Sequence, residues 1–221
     1  MKLMDDYIKR QDAIEIFMFG HEIWRDYEAA NAIRELPAAD VRPVKEDRTI
    51  TMNVPQPGKH IQFCGQDWIA LGIEQGGLLV IKAEPLLEKM PFDKDGVADW
   101  LKSSLRQYLN DEYLKSLGDI GNALLEFESD LTADDGTKDY GTCKDKVFLL
   151  SDALYRKYRE YIPKYDTLWR WTITPYSPTF NHHERIVSAS GTFSSIHADI
   201  KNSLTPSLCL NLSLLEGMNA K

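Results

Sequence analysis

The chain has 221 residues, 43% hydrophobic and 27% charged, a composition that fits a folded globular protein and excludes a disordered one. Its formal net charge of −8 disfavours direct binding to a phosphate backbone and suits a basic protein partner. No apolar run reaches the roughly 18–20 residues of a membrane span, so no membrane association is expected.

Residues 5–36 read as two short helices. Ile14, Phe17 and Met18 share one face before Gly20, and Tyr27, Ala30 and Ile33 continue a second until Leu36-Pro37. Met1 to Arg10 carries Asp5 and Asp6 where a signal peptide would have an apolar core. Pro37, Pro43, Pro55, Pro57 and Gly58 punctuate the stretch that follows. These signals place an N-terminal helical segment at 1–43, a linker at 44–59 and the main domain at 60–221.

From His60 the period becomes that of strands. Ile61 and Phe63 alternate with polar neighbours. Trp68, Ala70 and Leu71 open a second strand, and Gly76-Gly77 turns it into Leu78–Ile81, apolar enough to be covered on both faces. Val97, Trp100, Leu101, Leu105 and Leu109 follow a helical period, and a second short helix is predicted from Glu112 to Leu117. Residues 119–146 are mixed and acidic, with turns at Asp135-Gly136 and Tyr140-Gly141. Between Asp93 and Asp135, 11 acids stand against 4 bases, most of the chain's excess charge. Val147–Leu150 reads as a buried strand. Ser151 is placed to cap a helix reaching about Tyr161, which Pro163 ends. Strands are predicted at Leu168–Thr174, Arg185–Ser188, Phe193–Ile196 and Ser207–Leu212, with a turn at Ser190-Gly191.

Five of these stretches resemble a known family. Phe63-Cys64-Gly65-Gln66-Asp67-Trp68 looks like an "F-G-x-x-W" strand pair, and Trp100 to Asn110 is similar to "W-x-x-S-x-L-R-x-W-L-N". Asp145 to Ser151 matches "D-K-V-F-L-L-S", Trp169 to Tyr176 resembles "W-W-x-R-T-P-Y", and Thr205 to Leu210 resembles a terminal "R-P-A-L" strand. The family is a set of proteins of gut Firmicutes and their phages, related in fold to C-type lectins and formylglycine-generating enzymes. Arg10 to Ile14 and Ile33 to Pro37 resemble a leader of small Clostridia-phage proteins. The resemblance implies an α+β fold, a C-type-lectin-like mixed sheet with packed helices. It implies phage or prophage origin and a place in the bacterial cytoplasm. Ile173 and Thr205 stand where the family usually has arginines, which implies that an arginine–carboxylate network there is absent or rebuilt.

Several residues could carry chemistry. Trp68, Trp100, Trp169 and Trp171 could form a stacking platform, but their motif positions favour the core, with Trp169 the one left outside. Asp130, Asp134, Asp135 and Asp139 miss the spacing of an EF-hand loop, Gly136 falling one place late, so an acidic turn is expected rather than a metal site. His182-His183 is a poor chelating pair if it lies on a strand, where neighbours point to opposite faces, so a solvated loop tip is expected. Cys64, Cys143 and Cys209 form no C-x-x-C pair. No nucleophile–base motif appears, so no catalytic residue, metal or cofactor is assigned.

The expected function is binding to a host protein rather than catalysis. One form is a phage-encoded anti-CRISPR protein, an inhibitor of a host defence nuclease whose basic groove meets the acidic segment. The predicted contact residues are Asp119, Glu126, Glu128, Asp130, Asp134, Asp135 and Asp139 with Tyr176, Phe180, Asn181, His182 and His183. Two alternatives stand beside it. One is a carbohydrate- or peptide-binding phage adhesin using Trp169, Trp171 and Tyr176. The other is a degenerate formylglycine-generating-type enzyme, which requires Cys209 to be exposed. The sequence leaves the partner's identity and the oligomeric state open.

Overall fold

The computed structural model describes residues 54–165 and 167–213. The predicted N-terminal helices and most of the linker lie outside the described residues. Three strands open the domain: β1 (His60–Phe63), β2 (Gln66–Glu74) and β3 (Gly77–Lys82). Both connections are two-residue turns with positive φ throughout, at Cys64-Gly65 and Gln75-Gly76, the conformation that matches the twist of antiparallel strands. The second turn sits one residue earlier than the Gly76-Gly77 expected. Gly77 is needed for another reason: a Cβ there would lie 2.5 Å from the Cys209 sulfur.

The first sheet runs β1-β2-β3-β11-β4, where β4 is Leu124–Leu125 and β11 is Ser207–Asn211; β7 (Val147–Phe148) also pairs with β11. β3 is therefore central, and its buried run from Gly77 to Ile81 fits the two-sided covering expected of it. A separate hairpin joins β5 (Phe127–Asp130) to β6 (Thr142–Asp145). The third sheet runs β10-β9-β8, with β8 at Arg170–Pro175, β9 at His183–Val187 and β10 at Phe193–His197.

The expected α+β class, a mixed sheet with packed helices, is overturned. Among the described residues the chain is mostly β, with eleven strands in three sheets and every strand pair antiparallel. Two local reasons account for the error. The acidic segment 119–146 holds three strands that its charge conceals. In β5 only Phe127 is an apolar inward residue; Ser129 is also buried, while Glu128 and Asp130 alternate outward. The helical period from Val97 yields no helix before Ser104. The Ala98 N–H instead donates to the Asn181 carbonyl at 2.6 Å. Ser103 then caps α1 (Ser104–Tyr108), its hydroxyl accepting from the Arg106 N–H at 3.1 Å. A π-helical turn at Leu109–Tyr113 and a three-residue helix at Leu114–Ser116 extend α1. The second helix, α2 (Asp152–Tyr158), starts at the predicted Ser151 cap and is shorter than expected.

The core forms where the sheets face inward. Trp68, Trp100 and Trp171 are buried, as are Phe92 and Phe148, each such side chain contributing on the order of 1.5–3 kcal/mol through burial. Phe92 lies between the two later tryptophans, its ring 5.7 Å from each. The Trp100 indole donates to Asp145 at 2.8 Å, and Arg106 Nε reaches the same carboxylate at 2.9 Å. Asp145 thereby ties the base of the β5–β6 hairpin to α1. No helix among the described residues is long and apolar enough to cross a membrane.

Candidate functional site

β8 ends at Pro175, and the chain must reverse to enter β9. Ser177 caps the reversal, its hydroxyl accepting from the Thr179 N–H at 3.2 Å, and Pro178 fixes φ at the start of a 3-10 turn, Pro178–Phe180. This fold-back gathers rings on one edge. Tyr176 lies 6.1 Å from Phe180 and 6.2 Å from His183, and Phe180 lies 6.4 Å from His182. Phe180 is 50% exposed, a large apolar ring left in solvent. Tyr176, Phe180, Asn181, His182 and His183, predicted as contact residues, share this edge.

The histidines depart from expectation. β9 begins at His183, so His182 precedes the strand and escapes its alternation. His197, which the sequence reading did not select, pairs with His183 across the β9–β10 ladder. The three imidazoles converge, with ring centroids 4.3–4.8 Å apart and one nitrogen of each within 4.8 Å of the others. A loop tip with independently solvated rings is therefore not what forms. His183 Nδ1 is buried and lacks a hydrogen-bond partner among the described residues. Burial, with the His197 and His182 rings adding to it, lowers the His183 imidazole below the usual histidine range.

The acidic tip joins the same edge. The Asp134 N–H donates to the Pro175 carbonyl at 2.8 Å, and the Asp134 carboxylate lies 3.6 Å from Arg185. The Ser177 hydroxyl, then the Thr137 amide and hydroxyl, hold the Asp135 carboxyl below the usual carboxylate range. Asp130 accepts from the amide and hydroxyl of Thr132. Asp139 is exposed, and its neighbour Tyr140 is raised by burial and then by Glu184, Asp99, Asp139 and Asp135. Tyr140, half-buried next to Asp139, was not predicted.

Three predicted acids lie elsewhere. Glu128 is held by its backbone, which exchanges two hydrogen bonds with the Gln75 side chain at the β2–β3 turn. Asp119 accepts from the Gly121 N–H, and Glu126 is exposed beside β4. The structure does not bring these three to the Tyr176–His183 edge.

Beneath the edge lies a buried polar network. Asp152 accepts from the Thr172 hydroxyl at 2.8 Å and from Arg185 Nε at 3.2 Å. Burial nevertheless raises its carboxyl. Glu184 is fully buried, its Oε2 has no hydrogen-bond partner among the described residues, and burial pushes its carboxyl well above the usual range. Ile173 is fully buried in the core and Thr205 is buried. Arg185 stands between two carboxylates, Asp152 and Asp134, and forms the arginine–carboxylate network present here.

The alternative sites do not assemble. Trp171 is 3% exposed and donates to the Met90 carbonyl at 2.9 Å, so only Trp169 of the proposed stacking pair faces solvent. Cys209 is fully buried, and burial pushes its thiol up to about 11, which removes the exposed sulfur an oxidase-like reading needs.

A family described as a domain of unknown function (DUF6273) matches residues 75–154, less than half of the chain. The match takes in the β5–β6 hairpin and stops before the histidines. No curated protein and no solved structure matches the chain.

Proposed function

We propose that this domain is a non-catalytic protein-binding module that docks a basic host protein through the edge of Tyr176, Phe180, Asn181 and His182. The acidic tip, Asp130 to Asp139, flanks the contact. The observation that carries this reading is the half-exposed Phe180 ring, set among other rings and fixed beside the tip by the Asp134–Pro175 bond. An apolar anchor with a charged rim is the arrangement that makes a contact both tight and selective. The residues differ in role. Phe180 and Tyr176 supply apolar area, while Asp134, Asp135 and Asp139 steer a positive surface toward them. In its sharper form the partner is a nucleic-acid-binding effector of host defence, because such proteins present basic grooves, and the module acts as a phage-derived inhibitor in the bacterial cytoplasm.

The test is affinity capture from host lysate at low and moderate salt with three proteins: wild type, Phe180→Ala, and the triple reversal of Asp134, Asp135 and Asp139 to Lys. The reading expects one defined partner with wild type, lost with Phe180→Ala and weakened by salt and by the reversal. Equal recovery with all three proteins would remove it. Recovery without any nuclease would remove the inhibitor form.

A further inference from the structure

We infer that His182, His183 and His197 form a binding site for a divalent transition-metal ion of the zinc class. This goes beyond the partner-binding reading and does not depend on it, since a metal needs no partner chain. The inference rests on how the backbone places the three rings. His183 and His197 are opposed residues on adjacent antiparallel strands. The His182 carbonyl accepts from the Ala198 N–H at 2.9 Å, which carries the ladder one step past that pair. The Asn181 carbonyl is held by the Ala98 N–H at 2.6 Å. The segment that delivers His182 is therefore fixed on both sides by main-chain bonds, and the trio is built on rigid elements.

Chemistry then selects the ion. Each neutral imidazole offers one in-plane lone pair, and one nitrogen of each ring lies within 4.8 Å of the others. The rings are tilted by 45–55° to one another, so no pair is stacked face to face. His183 Nδ1 is buried and has no hydrogen-bond partner among the described residues, so its ring has a polar atom still to be satisfied. Imidazole donors favour zinc, nickel, cobalt or copper, whereas calcium and magnesium require oxygens. Tetrahedral zinc at about 2.0–2.1 Å from each nitrogen requires nitrogens about 3.3 Å apart, so the widest pair must close by about 1.5 Å. Side-chain rotation supplies that movement, and His197 is exposed and free to make it. Three protein ligands leave a fourth position on the solvent side, which water takes in the free protein.

The carboxylates of the neighbouring tip do not compete for the ion. Asp130 and Asp135 already accept hydrogen bonds from Thr132 and Thr137, and Asp134 faces Arg185. Calcium, which takes oxygen ligands, is the control that separates a carboxylate site at the tip from the imidazole site.

The test is calorimetric titration of the full, tag-free, metal-stripped chain with zinc chloride, and separately with calcium chloride. A parallel titration with cobalt reports coordination geometry by visible absorption. The expected result is one zinc per chain, no heat with calcium, and the intense visible bands of four-coordinate cobalt. His197→Ala and His183→Gln should each weaken zinc binding by at least about 100-fold, the upper end of what loss of a ligand's supporting partner costs. His60→Ala and Cys64→Ser should leave it unchanged, which excludes the His60–Asp67 pair and the exposed thiol. His197 is an exposed residue of β10, so its variant is expected to fold, and circular dichroism checks this. Absence of zinc binding, zinc binding unaltered in both histidine variants, or a response to calcium in place of zinc would each overturn the site.

Discussion

The acidic tip and the histidine edge lie side by side, yet they differ in how far their polar atoms are already satisfied. At the tip, Asp130 is occupied by Thr132, Asp135 by Thr137 and Ser177, and Asp134 by Arg185. Two of these carboxylates, Asp130 and Asp135, are turn-formers that organise their own loop. At the edge, three imidazoles converge with few partners, and an aromatic ring beside them stays half exposed. Density of charge in a sequence therefore locates a field, whereas convergence of unpartnered donors locates a contact. On the proposed reading the tip steers and the edge binds.

The strongest way to break this division is at the hairpin's other end, where one acid is structural. Trp100→Ala removes a fully buried indole and strips Asp145 of its 2.8 Å donor. It should cost roughly 3–5 kcal/mol in chemical denaturation. A variant as stable as wild type would mean that the hairpin base is not anchored in the core, and the tip's position would lose its support. A thiol reagent gives the next effect. It should label Cys64 alone in the native chain, because Cys143 and Cys209 are buried and burial pushes their thiols to about 12 and about 11. Labelling of Cys209 without denaturant would restore the oxidase-like alternative.

Much of this architecture is readable in the sequence, and the gaps have physical causes. The β3 run, the Ser151 cap and the late strands follow from local pattern, because burial there coincides with apolar composition. The acidic strands are hidden because β5 and β6 bury Ser129 and Asp145 where a pattern reader looks for apolar residues. The helix at Val97 fails because a long-range bond from Ala98 to Asn181, invisible to periodicity, holds the segment open. The fold class fails for the same reason. Pairing partners are set by tertiary contacts, and a resemblance over short motifs does not fix them. His197 could have been found. A hairpin turning at Ser190-Gly191 with Val187 opposite Phe193 puts His183 opposite His197 by register alone.

The smallest effect sharpens the contrast at the tip itself. The Thr132 hydroxyl and amide donate to Asp130 at 2.6 and 2.8 Å and hold its carboxyl below the usual carboxylate range. A carboxyl lowered in the folded state contributes stability that is fully present above its unfolded value, about 3.9. That contribution is lost as pH falls through the lower folded value. Wild type and Asp130→Asn should therefore differ by a small, constant margin in melting temperature between pH 5 and 8. The margin should close as pH falls below about 4, because the unfolded chain's carboxyl then takes up a proton and, lower still, the folded one follows and resembles the amide. A margin that persists unchanged at pH 3 would show that the Asp130 charge is not engaged with Thr132. The tip's acids would then be free, as the histidines are, and the two regions would no longer divide into one that steers and one that binds.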